Sequence, residues 1–400
     1  MAITELGVHQ LEGDAESLTR SLSVPKPSCL NKRQQKRTIR SRFLGCLLGG
    51  AVGDALGAPV EFMSRDEIVD RFGSNGIRDY ALAYGKLGAI TDDTQMTLFT
   101  AEGLLRSRVR QILKGLSSPV AQTAYAYQRW LITQGMSSSL SNTARMDDGW
   151  LFTINELHSQ RAPGYTCLSA LQNMSAPERA AQNNSKGCGG VMRVAPAGLF
   201  AWQFRKEVSL TDVFELGRDL AALTHGHPTG SLTAGVFTVL VMLLTDGQQL
   251  TQALAIAKTC LRNYRDYEET LTAIELAQQL AVEAIPAEQA IQKLGEGWIA
   301  EEALAISIYC ALMAKTFRQG ILMAVNHDGD SDSTGAITGH LLGAMLGTKK
   351  IPRHWLENLE LYDVIEQVAI DLFEFPNWPL STYGGDQAFE QMIWKKYPGC

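Results

Sequence analysis

Two clusters of oxygen donors set the chemistry open to this chain. Thr91-Asp92-Asp93-Thr94 and Asp328-Gly329-Asp330-Ser331-Asp332-Ser333-Thr334 lie far apart in sequence, and each stands just before a small-residue or apolar helical run. Carboxylate and hydroxyl oxygens suit Mg2+ or Mn2+ rather than Zn2+, which prefers thiolate and imidazole. If folding brings the clusters together, they hold a pair of divalent ions with positions left open for an oxygen-rich substrate. If they fold to opposite sides of the molecule, that expectation collapses.

Both clusters exceed an ordinary structural role. One Ser, Thr or Asp is enough to cap a helix, whereas Thr91 to Thr94 supplies four, and adjacent carboxylates repel unless a cation lies between them. Asp328 to Gly335 opens like an EF-hand loop. Its sixth position is Ser333 and its twelfth is Gly339, where that loop requires Gly and Glu, so a single calcium loop is disfavoured. Asp330 and Asp332 are one residue apart and can face one ion, with the Ser333 hydroxyl beside them.

Three further segments carry polar groups of interest. In Gly53-Asp54-Ala55-Leu56-Gly57-Ala58-Pro59-Val60-Glu61, Asp54 interrupts an apolar glycine-rich run, where a charge needs a partner. Each carboxylate alone reads as a cap or a surface group; the company of two Asp clusters changes that weighting. Ser185-Lys186-Gly187-Cys188-Gly189-Gly190-Val191-Met192-Arg193 is a glycine-rich turn whose backbone N–H groups suit phosphate without a Walker lysine. The competing readings are a plain tight turn and a Cys188 nucleophile, which would need a base or a lowered pKa. In Thr224-His225-Gly226-His227-Pro228 the histidines lack further zinc partners, so His225 reads as a substrate contact. His327 is placed to support Asp328.

The elements that must position these residues read as helices. Thr94–Leu113, Leu210–Leu223, Ser231–Leu244, Leu250–Arg262, Thr270–Ala284, Ala300–Phe317 and Ser333–Leu346 repeat apolar residues at helical spacing, with turn residues between them. Strand-like alternation is scarce, so the fold class is all-α. Gly45, Gly49, Gly53 and Gly57 recur every fourth residue. On a helix they form one smooth stripe, and four glycines at about 1 kcal/mol each need a packing reason. A dinucleotide-binding loop is disfavoured, because no strand precedes the stripe and the GxGxxG order is absent.

The chain has 400 residues, 45% of them hydrophobic, and a net charge of -6. The acidic balance argues against a general nucleic-acid binder. Seven cysteines without a CxxC argue against a disulfide framework or structural zinc and suit a reducing, cytoplasmic setting. No signal peptide is evident, and the Phe43–Val60 run is a poor membrane span. Residues 1–41 are polar, with a basic run at Lys32, Arg33, Lys36, Arg37 and Arg40. They read either as a disordered tail or as a partner-binding arm that orders on docking. The expected organisation is this extension, a catalytic domain over 42–380 and a short segment over 381–400.

Taken in order, Gly53-Asp54…Glu61, Thr91–Thr94, Gly187–Arg193, Thr224-His225 and Gly329–Ser333 resemble the ADP-ribosylglycohydrolase family from roughly Arg42 to Phe375. The resemblance implies an all-α globule and a site for two Mg2+, with Mn2+ an alternative. Its ligands would be Thr91, Asp92, Asp93, Asp330, Asp332 and Ser333, with Glu61 nearby. It further implies that Gly187, Cys188, Gly189 and Gly190 lie against the diphosphate and distal ribose, and that His225 lines the ADP-ribose cleft. Members often carry Asn where Cys188 stands and Thr where Ser333 stands. The implied activity is hydrolysis of mono-ADP-ribosyl-arginine on a modified protein, with Glu61 or Asp92 moving the proton. The layout of residues 1–41 resembles immunity proteins whose N-terminal arm fills the active site of a toxin ADP-ribosyltransferase. The readings that compete with turnover are an ADP-ribose-binding regulator and a purely stoichiometric inhibitor.

Overall fold

The computed structural model describes residues 32–140, 145–381 and 386–399. Among these the chain is helical, apart from short 3-10 turns and one two-stranded antiparallel hairpin that pairs Leu82 with Leu87 and Ala83 with Lys86. Tyr84 and Gly85 form its two-residue turn, and both take positive φ (51° and 77°), as a tight hairpin turn requires. Residues 1–31 of the expected extension lie outside the described residues. Its remainder, from Lys32, is the first part of a helix that runs unbroken to Gly57.

That helix carries the glycine stripe, and a second stripe answers it. The helix Ser331–Leu346 is its most extensive neighbour, and the two run antiparallel. A Cβ on Gly45 would lie 2.5 Å from the Gly343 carbonyl oxygen, and one on Gly49 would lie 2.5 Å from that of Gly339. Going the other way, a Cβ on Gly335 would lie 2.5 Å from the Gly53 carbonyl oxygen. These separations are far below van der Waals contact, so backbone meets backbone along four turns. The packing reason for the glycines is this close approach. Its consequence is to bring Asp54, near the end of one helix, beside the acidic N-terminus of the other.

Local chemistry fixes where the other helices begin and end. Thr91 caps Asp92–Lys114, which stops at Gly115 in the left-handed region. Ser209 and Asp212 form a capping box on Leu210–Ala222. Pro228 opens the helix that runs to Asp246, and the His227 imidazole Nδ1 accepts the Thr229 N–H. This last helix is long and apolar enough to cross a membrane, but 94% of its apolar window is packed inside the fold, which makes it the central core helix. The expected single run Ala300–Phe317 is two helices. Ala300–Met313 ends in extended backbone at Ala314, and Thr316 caps a new helix at Phe317.

Candidate active site

Asp54 is the organiser of the first cluster. It is fully buried, and its two carboxylate oxygens accept the Thr91 N–H at 3.0 and 3.1 Å. One of them also accepts the Thr94 N–H at 3.1 Å and the Thr94 hydroxyl. Asp54 thus satisfies orphan donors at the start of the Asp92–Lys114 helix from outside that helix. Burial and the nearby Asp332 push its pKa up to about 7, against the opposing pull of those hydrogen bonds. The carboxylate is committed to holding Thr91 to Thr94 in place.

With both ends of that turn held, Asp92 and Asp93 face a cleft of about 220 Å³. Asp92 accepts the Gly164 N–H at 3.2 Å, and Asp93 accepts the Ser333 hydroxyl at 3.3 Å. Thr91 caps the helix, its side-chain oxygen accepting the Asp93 N–H at 3.3 Å, and the Ser333–Asp93 bond links the two clusters. Asp330 caps the Ser331 helix by accepting the Ser333 N–H at 3.2 Å, and Asp332 Oδ1 accepts the same N–H at 2.9 Å. Glu61 lies at the same cleft and is only 7% exposed.

The electrostatics of this assembly call for a cation. Burial raises the pKa values of Asp92, Asp93, Asp330 and Asp332, and the Asp332 charge adds to the rise in the first three. Burial, with Asp332, Asp330, Asp92 and Asp54, pushes Glu61 up to about 11. Two buried carboxylate oxygens, Glu61 Oε2 and Asp93 Oδ1, have no hydrogen-bond partner. Orphaned acceptors and clustered like charges fit hard dications, whose charge reverses the local field. Among the described residues, no three His, Cys, Asp or Glu side chains are placed close enough together to hold a metal ion. The carboxylates line an open cleft with the Ser333 hydroxyl among them, while Thr91 is buried beside it with its hydroxyl capping the Asp92–Lys114 helix.

The glycine turn adjoins the acidic cluster and lines the same cleft. Cβ atoms on Gly187, Gly189 and Gly190 would each lie between 3.1 and 3.4 Å from the His225 ring, and one on Gly189 would also lie 2.9 Å from Cys167 Sγ. The glycines are there because an imidazole packs beneath them. Burial and the Arg193 charge push His225 down to about 3, so it is neutral; its Nδ1 hydrogen-bonds the Thr224 hydroxyl at 2.8 Å. Two of the turn's N–H groups are already used, Gly187 by Ser185 Oγ (3.3 Å) and Cys188 by the Trp298 carbonyl (3.1 Å). Cys188 does not have the setting of a nucleophile. Its Sγ lies 2.7 Å from Asp330 Oδ2 as a donor, and burial together with Asp330 holds its pKa well above the ordinary thiol value.

Of the site residues expected from the sequence, Glu61, Asp92, Asp93, Gly187, Cys188, Gly189, His225, Asp330, Asp332 and Ser333 line one cleft, together with Tyr165, Cys167, Met192 and Trp298, whereas Thr91 and Gly190 lie buried behind its surface. His327 sits behind it, bonded to the Asp328 carbonyl and the Thr334 hydroxyl. Sequence reasoning missed Trp298, which lines the cleft, and Phe62, whose ring stacks on it. The available signal was Phe62 directly following Glu61. It also missed the role of Arg193, which is fully buried and donates to the Tyr127 hydroxyl, the Leu220 carbonyl and the Thr224 hydroxyl, tying the turn to helix Pro119–Thr133 and to the end of helix Leu210–Ala222.

Comparison with known proteins agrees with this architecture. The sequence model of the ADP-ribosylglycohydrolase family matches residues 35–379, and the chain belongs to this family of glycohydrolases. The ADP-ribosyl-[dinitrogen reductase] glycohydrolase of Rhodospirillum rubrum is 26% identical, over 81% of this chain and 92% of its own. The ADP-ribosylarginine hydrolase Tri1 of Pseudomonas putida is 26% identical, over 83% and 78%. ADP-ribosylhydrolase ARH3 of Bos taurus is 25% identical, over 83% and 92%. A solved structure described as an ADP-ribosylglycohydrolase-related protein complex superposes with a TM-score of 0.58 at 25% identity, covering 84% of this chain and 99% of that one.

Proposed function

We propose that this protein hydrolyses the N-glycosidic bond between ADP-ribose and an arginine guanidinium on modified proteins, with two Mg2+ ions, or Mn2+, held by Thr91, Asp92, Asp93, Asp330, Asp332 and Ser333. The observation that carries the reading is the meeting of two acidic clusters in one cleft beside the glycine turn, with Glu61 Oε2 and Asp93 Oδ1 left unpartnered. When bound, such ions orient ribose hydroxyls and lower the pKa of a coordinated water.

The chain's own residues have distinct tasks. Glu61 is a buried carboxyl at the cleft with one oxygen unpartnered, placed to move a proton at the departing nitrogen. Asp92, fixed by the Gly164 N–H, is the second carboxylate able to take up a proton from water. The glycine turn offers a surface free of side chains to the diphosphate and distal ribose, and His225 stays uncharged beneath it. Asp54 holds the first cluster in register without facing the substrate.

The test is release of ADP-ribose from an arginine-modified protein, with and without EDTA. Turnover should stop with EDTA and return with Mg2+ or Mn2+, and Asp92→Ala should abolish it. An Asp92→Ala enzyme with full metal-dependent activity refutes the assignment. A wild-type protein that binds ADP-ribose but releases none from any linkage is a regulator rather than a hydrolase.

A further inference from the structure

Phe62 and Trp298 stand where core packing has little use for them. Phe62 is 73% exposed and Trp298 is 39% exposed, yet their rings stack with centroids 5.9 Å apart and planes 18° apart. Phe62 directly follows Glu61, and Trp298 lines the same cleft that the unpartnered Glu61 Oε2 adjoins. Trp298 is fixed from behind. Its carbonyl accepts the Cys188 N–H, the neighbouring Ile299 pairs with Gly187 in an isolated β-bridge, and its indole Nε1 donates to Glu296 at 3.2 Å. The pair is a platform held at the site rather than a loose surface patch.

Trp298 also lines a second cavity of about 550 Å³, whose charged lining is Arg65, Glu288, Glu296, Glu302 and Asp328. Glu302 is occupied by the Glu296 and Gly297 N–H groups at 3.1 and 3.2 Å, and Asp328 accepts the Arg65 N–H at 2.7 Å. One cation stands among four carboxylates. An aromatic face backed by negative charge attracts cations, and a planar guanidinium stacks on it better than an ammonium does.

We propose that Phe62 and Trp298 form the leaving-group platform. They stack on the guanidinium of the modified arginine, and the acidic cavity that Trp298 also lines favours a polypeptide with a basic residue beside it. The inference rests on the hydrolase reading above and supplies the structural origin of its linkage preference: a neutral serine linkage gains nothing from this surface.

Three measurements test it on the full chain: ADP-ribose affinity by calorimetry, kcat and KM on arginine- and serine-linked peptides, and KM on arginine-linked peptides flanked by Lys or by Glu. Phe62→Ala and Trp298→Ala should raise KM for the arginine linkage at least about fivefold while moving kcat little. Trp298→Phe should recover most of the loss, and Phe62→Ala should bind ADP-ribose as the wild type does. A Lys-flanked peptide should have a lower KM than a Glu-flanked one, and Glu288→Gln should narrow the gap. Phe62 is mostly in water, so its variant keeps the test sound should Trp298→Ala unfold. Equal slowing of both linkages, or an unmoved arginine KM, overturns the platform while leaving the hydrolase reading intact. A wild-type protein that binds no ADP-ribose and cleaves neither linkage overturns both.

Discussion

Asp54 accepts the Thr91 amide with both of its carboxylate oxygens, at 3.0 and 3.1 Å, from a different helix. The most buried acid of the site is therefore a clamp on the loop that carries the others. Removing it leaves the Thr91 and Thr94 N–H groups without their acceptor in the interior, at about 1 to 3 kcal/mol for each buried donor. Asp54→Ala should lower unfolding free energy by about 2 to 4 kcal/mol on that basis, and should weaken Mg2+ binding although Asp54 is not among the proposed ligands. Denaturant unfolding and calorimetry measure the two effects. An unchanged metal affinity would show that the loop holds its shape without the clamp.

Asp92 should behave in the opposite way. Burial and the Asp332 charge oppose its ionisation, so the carboxylate strains the metal-free protein. Asp92→Asn keeps an oxygen for the Gly164 N–H and removes the charge. The melting temperature in EDTA should therefore rise, because the buried charge is gone. Saturating Mg2+ should then stabilise the wild type by ligand linkage and leave Asp92→Asn nearly unmoved. Thermal melts of both proteins, with and without metal, decide it. Equal Mg2+ shifts would remove Asp92 from the ligand set.

The glycine stripes give a graded expectation. A Cβ on Gly57 would collide with the Ser331 carbonyl and with the Asp332 backbone at the acidic end of the helix pair, whereas one on Gly45 would strike Gly343 at the far end. Either alanine forces the helices apart, at about 1 to 3 kcal/mol or more for an overpacked contact. Only Gly57→Ala moves Asp332. Both variants should lose stability, and Gly57→Ala alone should lose metal affinity disproportionately. Similar metal affinities in the two variants would show that Asp332 is positioned independently of this contact.

His340 makes stability depend on pH. It lies in the Ser331–Leu346 helix, pressed against Gly50, and its Nδ1 hydrogen-bonds the Cys46 carbonyl at 2.8 Å. Burial lowers its pKa from 6.5 to about 4. Between those values the unfolded chain takes up a proton that the native chain refuses. Stability is then intact above pH 6.5 and falls as pH drops toward 4, with a total loss of about 3 kcal/mol from this group. His340→Leu should flatten that part of the pH–stability curve, measured by denaturant unfolding from pH 4 to 7. An unchanged slope would assign the acid sensitivity to other groups.

Much of the helical framework is legible in the sequence, because periodicity and caps are local. The runs at Thr94–Leu113, Leu210–Leu223 and Leu250–Arg262 lie within two residues of helices Asp92–Lys114, Leu210–Ala222 and Leu250–Leu261. The join at Ala314 to Thr316 was not legible, because apolar spacing continues through it. Nor was Phe62 on Trp298, since a ring's partner more than two hundred residues away leaves no local pattern.

The sequence by itself determined the donor types of the two acidic clusters, the glycine periodicity and the helical class, all of which reside in residue identity and short-range spacing. Tertiary structure decided which carboxylate faces the cleft and which serves as a clamp, why three glycines surround His225, and that Cys188 donates to Asp330. The reason is physical. Ligand geometry, burial and the field on each acid depend on antiparallel contact between helices Lys32–Gly57 and Ser331–Leu346, and that contact exists only once the chain has closed on itself.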